Sequence, residues 1–325
     1  MKTLDVSVVV PTYNREKLIV RTLESIRNQR VWPSVVFMVD DCSTDRTCEI
    51  ARDWAHRHEF PLEVIESSVN GGAAVARNKG IALARSRYIA FLDSDDEHLP
   101  NTLETLCFAL DAHDDAVLSF GDATVVTPSG VIPHGLFAPR VQLGAVADTL
   151  PDGLHTLRNA TTTLLAASII PTSATCFRRD SAVEVGMMPS DFRSGEDWLF
   201  FLRLSQRGDF VFSTSDLALH HRHDDNLTSP RAGEFMAREK LRGFLGLLGG
   251  QLDISLDREQ QSRVAAMLAD QWAVWRYHLS TLGLTAYWRG LRSVLGRSCG
   301  GWIQHMSADP KSLARAVWYS LGGRA

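Results

Sequence analysis

Short runs of β-branched residues alternate with longer amphipathic stretches over the first 120 residues. This alternation is typical of βα units and predicts an α/β fold with a mainly parallel, mixed sheet flanked by helices. The predicted strands are Val6–Val10, Val35–Val39, Leu62–Glu66 and Tyr88–Leu92. The predicted helices are Arg15–Gln29 with Asn14 as its N-cap, Thr44–Arg57, one opened by Gly71-Gly72, and one that starts at Pro100.

The pattern loosens between Ser129 and Ala166 into Gly, Pro and short apolar pieces, which predicts connecting loops around a site or an insertion that faces an acceptor. It becomes regular again over Ser168–Phe177, a helix over Glu196–Gln206 and a strand over Phe210–Leu219. Beyond residue 230 the periodicity is helical, with segments 233–248, 257–279, 284–297 and 311–321. We therefore expect a main domain over 1–230 and a C-terminal helical region over 231–325.

Composition narrows the class of protein. A chain of 325 residues with 45% hydrophobic and 22% charged residues is too apolar to be disordered. Its five cysteines are an odd number, scattered and without a CxxC pair, which argues against a disulfide framework and a zinc ribbon and predicts a reducing, cytoplasmic setting. The N-terminal apolar run is broken by Asp5 and ended by Pro11, so we expect no signal peptide. We expect no membrane-spanning helix either.

Charge is unevenly distributed along the chain. The net charge of −4 provides no global field that would attract nucleic acid, so we expect no nucleic-acid partner. From Arg231 to the end there are 13 basic and 7 acidic residues, a balance of +6 that leaves −10 for the first 230. The basic tail carries Trp272, Trp275, Trp288, Trp302 and Trp318 among Arg276, Arg289, Arg292, Arg297 and Arg315. This composition suits peripheral contact with an anionic membrane, or packing on the catalytic body or across a homodimer.

Ligands of open α/β sheets bind at the carboxyl ends of the strands. In this chain the turn that follows the first predicted strand lacks glycine. Pro11-Thr12-Tyr13-Asn14 therefore argues against a dinucleotide fold. After the second strand, Asp40 and Asp41 are able to accept hydrogen bonds from a base or a ribose. Alternatively, Ser43 or Thr44 caps the next helix and both acids are solvated.

Asp93-Ser94-Asp95-Asp96 follows an apolar strand. Carboxylates two residues apart at a strand end are able to share Mg²⁺ or Mn²⁺, which in turn bridges to a diphosphate, although such triplets are common in loops. Upstream, Arg77 and Lys79 lie one to two turns into the helix that Gly71-Gly72 opens. They would favour an anionic ligand there, or would be ordinary surface cations.

Ser194-Gly195-Glu196-Asp197 precedes an apolar helical run. One interpretation is a capping box in which Ser194 is the N-cap and Asp197 reaches back; the other is that Asp197 takes a proton from an acceptor hydroxyl. His220-His221-Arg222-His223-Asp224-Asp225-Asn226 follows a predicted strand. A histidine there would complete a divalent-cation site or contact phosphate, or the segment is a polar loop.

Taken in order, these motifs resemble the family 2 glycosyltransferases with the GT-A fold. The resemblance covers roughly residues 4 to 230, with 129–166 unmatched, so it implies a GT-A catalytic domain followed by the helical region. It is carried by Val6–Asn14, Val39–Asp45, Asn70-Gly71-Gly72, Ala76–Gly80, Phe91–Asp96, Gly195-Glu196-Asp197 and His223–Thr228.

The resemblance implies a role for each matching residue. On the donor side, Thr12 and Tyr13 touch the nucleotide, and Pro11 shapes the turn. Asp41 recognises the uracil edge, with Asp40 beside it. Arg77 contacts base or diphosphate, and Asp93 lies against the ribose. Asp95 binds Mn²⁺ or Mg²⁺, which holds the diphosphate, and His223 lies near them. On the acceptor side, Asp197 is the catalytic base and Glu196 is its neighbour.

The implied activity is inverting transfer from a UDP-sugar, or another nucleotide-sugar, to a hydroxyl of a glycan, lipid-linked or small-molecule acceptor, in the cytoplasm or at the inner face of the membrane. One departure displaces the arginine of this motif by one position, because the family often reads Tyr-Arg-x-His where this chain has His220-His221-Arg222-His223. A silent scaffold that binds nucleotide-sugar or glycan is a second hypothesis. The third, a nucleotidyltransferase, would want a Gly-rich basic loop after the first strand.

Overall fold

The computed structural model describes residues 2–137, 146–223, 233–295 and 309–321. The chain divides into two compact units, Met1–His223 and Asp224–Ala325. Within the described residues, no helix combines the length and the apolar character that crossing a bilayer requires.

The first unit is built on one mixed sheet, which confirms the predicted fold class. The strands are β1 Thr3–Thr12, β2 Trp32–Asp40, β3 Leu62–Glu66, β4 Tyr88–Phe91, β5 Glu97–His98, β6 Ala116–Thr127, β7 Gly130–Ile132, β8 Ala147–Thr149, β9 His155–Leu157, β10 Thr175–Arg178 and β11 Asp209–His221. Their order in the sheet is β3-β2-β1-β4-β10-β6-β11-β9-β8, and the two short strands β5 and β7 pair with β11 and β6. Neighbouring strands are parallel among β1 to β4 and between β6 and β11, and antiparallel elsewhere.

Helices cover the sheet because their apolar faces pack on its buried strands. The buried core includes Val8, Leu23, Met38, Ala51, Trp54, Ala90 and Leu106. The helices of the first unit are α1 Ile19–Arg27, α2 Thr47–His58, α3 Ala73–Leu83, α4 Thr102–Ala112, α5 Ala160–Ala166, α6 Arg179–Glu184 and α7 Glu196–Leu204.

Two sequence-based expectations about these elements are wrong. Helix α1 begins at Ile19 and has no side-chain cap, because the Asn14 side chain accepts a hydrogen bond from the backbone N–H of Thr44 at 2.9 Å instead. The described residues of the 129–166 segment hold β7, β8, β9 and α5 rather than loops alone. Strand β7 forms a hairpin with β6, β8 pairs with β9, and β9 pairs with β11, which is distant in sequence.

Helix α3 lies close against the sheet at Gly80. A Cβ atom at this position would collide with the Val9 side chain of β1. The N-cap of α3, Gly72, has φ of +90°, which favours glycine over residues with side chains. Both glycines therefore fix where α3 starts and how near its side chains come to the strand ends.

The second unit contains its own small core. Helices α8 Gly233–Leu248, α9 Arg258–Ser280, α10 Leu284–Leu295 and α11 Pro310–Ser320 follow the predicted segments closely. Trp272 and Trp275 are buried in this core beside Tyr287 and Leu291. These two tryptophans therefore pack within the helical unit itself, whereas Trp318 is 61% exposed.

Candidate functional site

The carboxyl ends of β1, β2 and β4 meet at one edge of the sheet, and the loops that follow the first strands are tied together. The backbone N–H of Asp41 donates to the Thr12 carbonyl at 2.8 Å. The two carboxylate oxygens of Asp41 accept the backbone N–H groups of Gly71 and Gly72, each at 2.7 Å. The bond between Asn14 and Thr44 joins the first two loops a second time. Three loops thus form one continuous surface.

The predicted nucleotide contacts on β1 differ in what they present. Pro11 and Thr12 are buried, and the Thr12 hydroxyl donates to the Val10 carbonyl at 3.2 Å. Tyr13 is 44% exposed. Of these three residues, Tyr13 is therefore the one whose side chain is available to a ligand.

Asp40 and Asp41 are 2% and 4% exposed, so the expectation that these acids are solvated is wrong. Ser43 does not cap α2 either; its hydroxyl and N–H donate to the Asp40 carboxylate at 2.5 and 2.8 Å. The N-cap of α2 is Arg46, without a side-chain hydrogen bond. Ser43 therefore stabilises the loop that follows β2 and does not cap α2.

Arg77 joins two predicted parts of the site. It is 4% exposed, and its guanidinium contacts Asp93 Oδ1 at 2.5 Å and Glu196 Oε1 at 3.0 Å. Its Cζ lies 5.6 Å from the centre of the Phe91 ring. Burial alone would lower the pKa of Arg77, but the facing carboxylates raise it above its ordinary value. Arg77 thus stays charged, and it faces side chains of the protein itself.

The carboxyl groups around Arg77 are perturbed by their surroundings. Desolvation, followed by the charge of Asp197, raises the pKa of Glu196 from 4.5 to about 7 against the opposing effect of Arg77. The pKa of Asp93 is also raised, first by desolvation and then by the nearby Asp96 and Asp95 charges, although Arg77 lowers it. Such perturbed acids in one cluster are typical of functional sites.

Asp197 lies in the first turn of α7 and is half-buried. The expected capping box is wrong, because the N-cap is Gly195 with φ of +78° and without a side-chain cap. Asp197 Oδ1 instead accepts the backbone N–H of Trp198 at 2.7 Å, and its Oδ2 accepts the Thr172 hydroxyl at 2.6 Å. Both oxygens are held, and each keeps a free lone-pair direction for another donor.

Asp95 and His223, the predicted metal residues, lie together. His223 Nε2 is 3.0 Å from Asp95 Oδ2, and Arg15 Nη2 is 3.3 Å from the same oxygen. The Asp95 side chain is 12% exposed and that of His223 is 28% exposed. A carboxylate oxygen and an imidazole nitrogen that share a partly open position fit a Mn²⁺ or Mg²⁺ ion whose remaining ligands are phosphate oxygens and water.

Asp96 turns away from that opening. It is 2% exposed and accepts hydrogen bonds from the Ser173 hydroxyl at 2.6 Å and the backbone N–H of His221 at 3.0 Å. His220 Nδ1 lies 3.2 Å from Asp96. Desolvation lowers the pKa of His220, but the hydrogen bond to Asp96 and the charge of Asp96 outweigh it and raise the pKa above its ordinary value. Arg222, the displaced arginine, is exposed.

Sequence reasoning missed Arg15, Thr172 and Ser173 as parts of the site. The signal available for the latter two was their position beside the strand β10, after Pro171. It also missed an Asp–His–Asp group, Asp122, His134 and Asp216, whose ligand atoms lie within 4.8 Å of one another. Residues 224–228 of the last motif lie outside the described residues.

Comparisons with known proteins agree with this arrangement. The family described as Glycosyl transferase family 2 matches residues 7–181. The poly(ribitol-phosphate) beta-N-acetylglucosaminyltransferase TarS of Staphylococcus aureus is 28% identical over 240 residues, which are 71% of this chain and 36% of TarS. This chain therefore spans little more than a third of the length of that relative.

Two solved structures share the architecture of the chain. The structure of S. aureus TarS 1-349 in complex with UDP-GlcNAc matches with a TM-score of 0.62 at 21% identity, and the match covers 99% of this chain and 92% of the TarS chain. The mannosyltransferase PcManGT from Pyrobaculum calidifontis, in complex with GDP-Man and Mn²⁺, has a TM-score of 0.58 at 16% identity and covers 98% and 83%. These likenesses confirm the predicted GT-A fold.

Proposed function

The chain belongs to glycosyltransferase family 2, and from that premise we propose that it transfers a sugar from a UDP-sugar to an acceptor hydroxyl with inversion at the anomeric carbon. The observation that carries this proposal is the Arg77 bridge. It joins Asp93, the proposed ribose contact, to Glu196, the neighbour of the proposed base Asp197. The proposed donor-side and acceptor-side residues thus belong to one network around the buried Arg77.

The donor is proposed from both geometry and relatives. The exposed Tyr13 ring and the loop held by Asp41 border a surface on which a nucleotide base would lie, beside Asp40. TarS is named for N-acetylglucosamine transfer, and one of its structures holds UDP-GlcNAc. PcManGT holds GDP-Man instead, so a panel of nucleotide-sugars is the appropriate probe.

Asp95 and His223 would hold Mn²⁺ or Mg²⁺. The bound ion would neutralise the charge of the donor diphosphate. Arg15, which contacts the same Asp95 oxygen, supplies a second positive charge on that side of the cleft.

Asp197 is the proposed general base. One of its carboxylate oxygens accepts the proton of the acceptor hydroxyl, while the oxygen of that hydroxyl attacks the anomeric carbon from the face opposite the nucleotide. The bond from the anomeric carbon to the diphosphate breaks, and its electron pair leaves with the nucleotide. One displacement inverts the configuration. Glu196, held by Arg77, lines the acceptor side.

We also propose that the helical unit brings the enzyme to an anionic membrane surface, where glycan or lipid-linked acceptors lie. From Gln271 to the end the sequence has seven basic residues and one acidic residue. Trp318 and Leu321 are 61% and 80% exposed, and exposed aromatic and aliphatic side chains among arginines favour such a surface. Liposome flotation tests this: a Trp318→Ser, Leu321→Ser variant should float less than wild type. If the protein self-associates through the helical unit and does not float, the exposed side chains belong to a homodimer interface and not to a membrane-binding surface.

The transfer reaction is tested by a donor screen that measures nucleotide diphosphate release with Mn²⁺, with Mg²⁺ and with EDTA. We expect one UDP-sugar to turn over only with metal, and Asp197→Asn to lose about 10²- to 10⁴-fold in rate. Asp180→Asn, whose side chain is 87% exposed on α6, is the matched control and should keep full activity.

Three outcomes would contradict the proposal. Nucleotide-sugar binding without turnover would favour the silent scaffold. Release of pyrophosphate when the protein is given a nucleoside triphosphate and a sugar 1-phosphate would favour a nucleotidyltransferase. Full transfer activity in Asp197→Asn would remove Asp197 as the base.

A further inference from the structure

Two adjacent hydroxyls in the turn Thr172–Ala174 face two different carboxylates. The Thr172 hydroxyl donates to Asp197 Oδ2 at 2.6 Å. The Ser173 hydroxyl donates to Asp96 Oδ2, also at 2.6 Å, and accepts the backbone N–H of Asp93 at 3.2 Å. These short distances to carboxylate oxygens are those of charge-assisted hydrogen bonds.

The turn itself is locked in place. It is a 3₁₀ turn that follows Pro171, and the Ala174 N–H donates to the Pro171 carbonyl at 2.9 Å. The Thr175 hydroxyl donates to the Thr172 carbonyl at 2.8 Å. Strand β10, which begins at Thr175, pairs with β4 on one side and with β6 on the other. Internal hydrogen bonds and the pairing of β10 thus fix the backbone from which the Thr172 and Ser173 side chains extend.

We propose that this turn is a positioning element that sets the separation between the base and the acidic loop Asp93–Asp96. Thr172 orients the Asp197 carboxylate, whose other oxygen is already fixed by the Trp198 N–H. Ser173 fixes the acidic loop through its hydrogen bonds with Asp96 and with the backbone N–H of Asp93. This inference rests on the proposed transfer reaction, and it assigns positioning roles to Thr172 and Ser173.

The two side chains should have different kinetic effects. Thr172→Val keeps the shape of the side chain but removes the donor, so Asp197 is free to rotate away from the acceptor. We expect kcat to fall by about tenfold to a hundredfold, with the donor KM within about twofold of wild type. Ser173→Ala loosens the acidic loop, so we expect the donor KM to rise by about tenfold while kcat changes less.

Conservative and matched variants separate positioning from folding. Thr172→Ser retains the hydroxyl and should restore most of the kcat. Tyr88→Phe removes a hydroxyl that donates to Asp111 at 2.7 Å at the opposite end of β4, and both kinetic parameters should stay unchanged. In an Asp197→Asn background, Thr172→Val should cost almost nothing further, because the two side chains act as one unit.

The outcomes are distinguishable from failure of the proposed function. If wild type shows no metal-dependent transfer, the proposed function is wrong. If wild type is active but Thr172→Val keeps its kcat, or Thr172→Ser fails to rescue it, Thr172 does not position the base. If Thr172→Val and Ser173→Ala alter the same parameter to the same extent, the turn has a general packing role and the inference is overturned.

Discussion

Two groups of carboxylates in the first unit differ in the groups that they contact. The cation-facing group, Asp93, Asp95 and Glu196, contacts Arg77, Arg15 and His223. The amide-facing group, Asp40, Asp41 and Asp122, accepts backbone N–H bonds; Asp122 Oδ1 alone accepts those of Ala123, Leu136 and Phe137.

From this difference we infer which acids are able to bind a ligand. A side-chain cation is able to move aside when a metal or diphosphate arrives, whereas a backbone N–H is fixed by the fold. The Asp122–His134–Asp216 group has a metal-like composition, and His134 Nδ1 lies 3.3 Å from Asp216 Oδ1, yet both Asp216 oxygens also accept the backbone N–H of His134 at 3.1 Å. We therefore place the proposed metal on Asp95 and His223 and assign Asp122 and Asp216 to holding the chain around residues 134–137.

The largest expected effect is on the cation-facing side. Asp95→Asn keeps the shape of the side chain but removes its charge, so metal-dependent transfer should fall by about a hundredfold or more. Steady-state rates across a Mn²⁺ titration measure this. Asp122→Asn, which retains an oxygen acceptor, is the matched control and should stay within about twofold of wild type. If Asp122→Asn loses metal-dependent transfer and Asp95→Asn keeps it, the metal site is the Asp122–His134–Asp216 group instead.

The amide-facing side should respond in stability instead. Asp122 is 0% exposed, and Asp122→Ala leaves three backbone N–H groups without their acceptor. Since each buried unsatisfied group costs about 1–3 kcal/mol, we expect a loss of roughly 3–5 kcal/mol in the free energy of unfolding, measured with urea. Asp95→Ala should lose about 1 kcal/mol or less. Equal losses would mean that the two groups do not differ as described.

Glu196 sharpens the comparison through pH. Its pKa is about 7 in the folded protein against an ordinary value of 4.5, so its contribution to stability is fully present below pH 4.5 and is lost as pH rises to about 7. The free energy of unfolding of wild type relative to Glu196→Gln should therefore fall by up to about 3 kcal/mol across that window. A difference that stays flat between pH 4.5 and 7 would contradict the raised pKa.

The smallest effect concerns Arg15. Its guanidinium competes with a metal for Asp95 Oδ2, so Arg15→Gln should tighten Mn²⁺ binding to the nucleotide-free protein by about threefold to tenfold. Electron paramagnetic resonance of free Mn²⁺ measures the affinity. Arg46→Gln, which removes an exposed partner of Glu49, is the control. Weaker Mn²⁺ binding in Arg15→Gln would show that Arg15 supports the ion instead.

The sequence predicted the elements whose signals are local. Strand β3 has the predicted bounds, and the four tail helices lie within two residues of theirs, because each repeats one period over its whole length. Strand β6 was not predicted, since Gly121 and Asp122 interrupt its apolar run. Its pairing with β10 and β11 depends on residues more than 50 positions away.

The candidate site shows the same division. Linear motifs predicted which acids gather at the carboxyl edge of the sheet, because strand ends are local features. They did not predict what each acid contacts. Asp41 bonds to residues 30 positions away, and Thr172 bonds to Asp197 across 25 positions. The expected caps failed for this reason, since Asn14 and Asp197 bond to partners brought near by the tertiary fold.

The bonds that join the loops after β1, β2 and β3 have a thermodynamic consequence. Asn14, Asp41 and the Gly71-Gly72 amides are held before any ligand arrives, so the conformational entropy of these loops is already lost during folding. A nucleotide that binds there spends little of its binding free energy on ordering the protein. Its association should therefore be fast and accompanied by only a small entropic penalty from the chain.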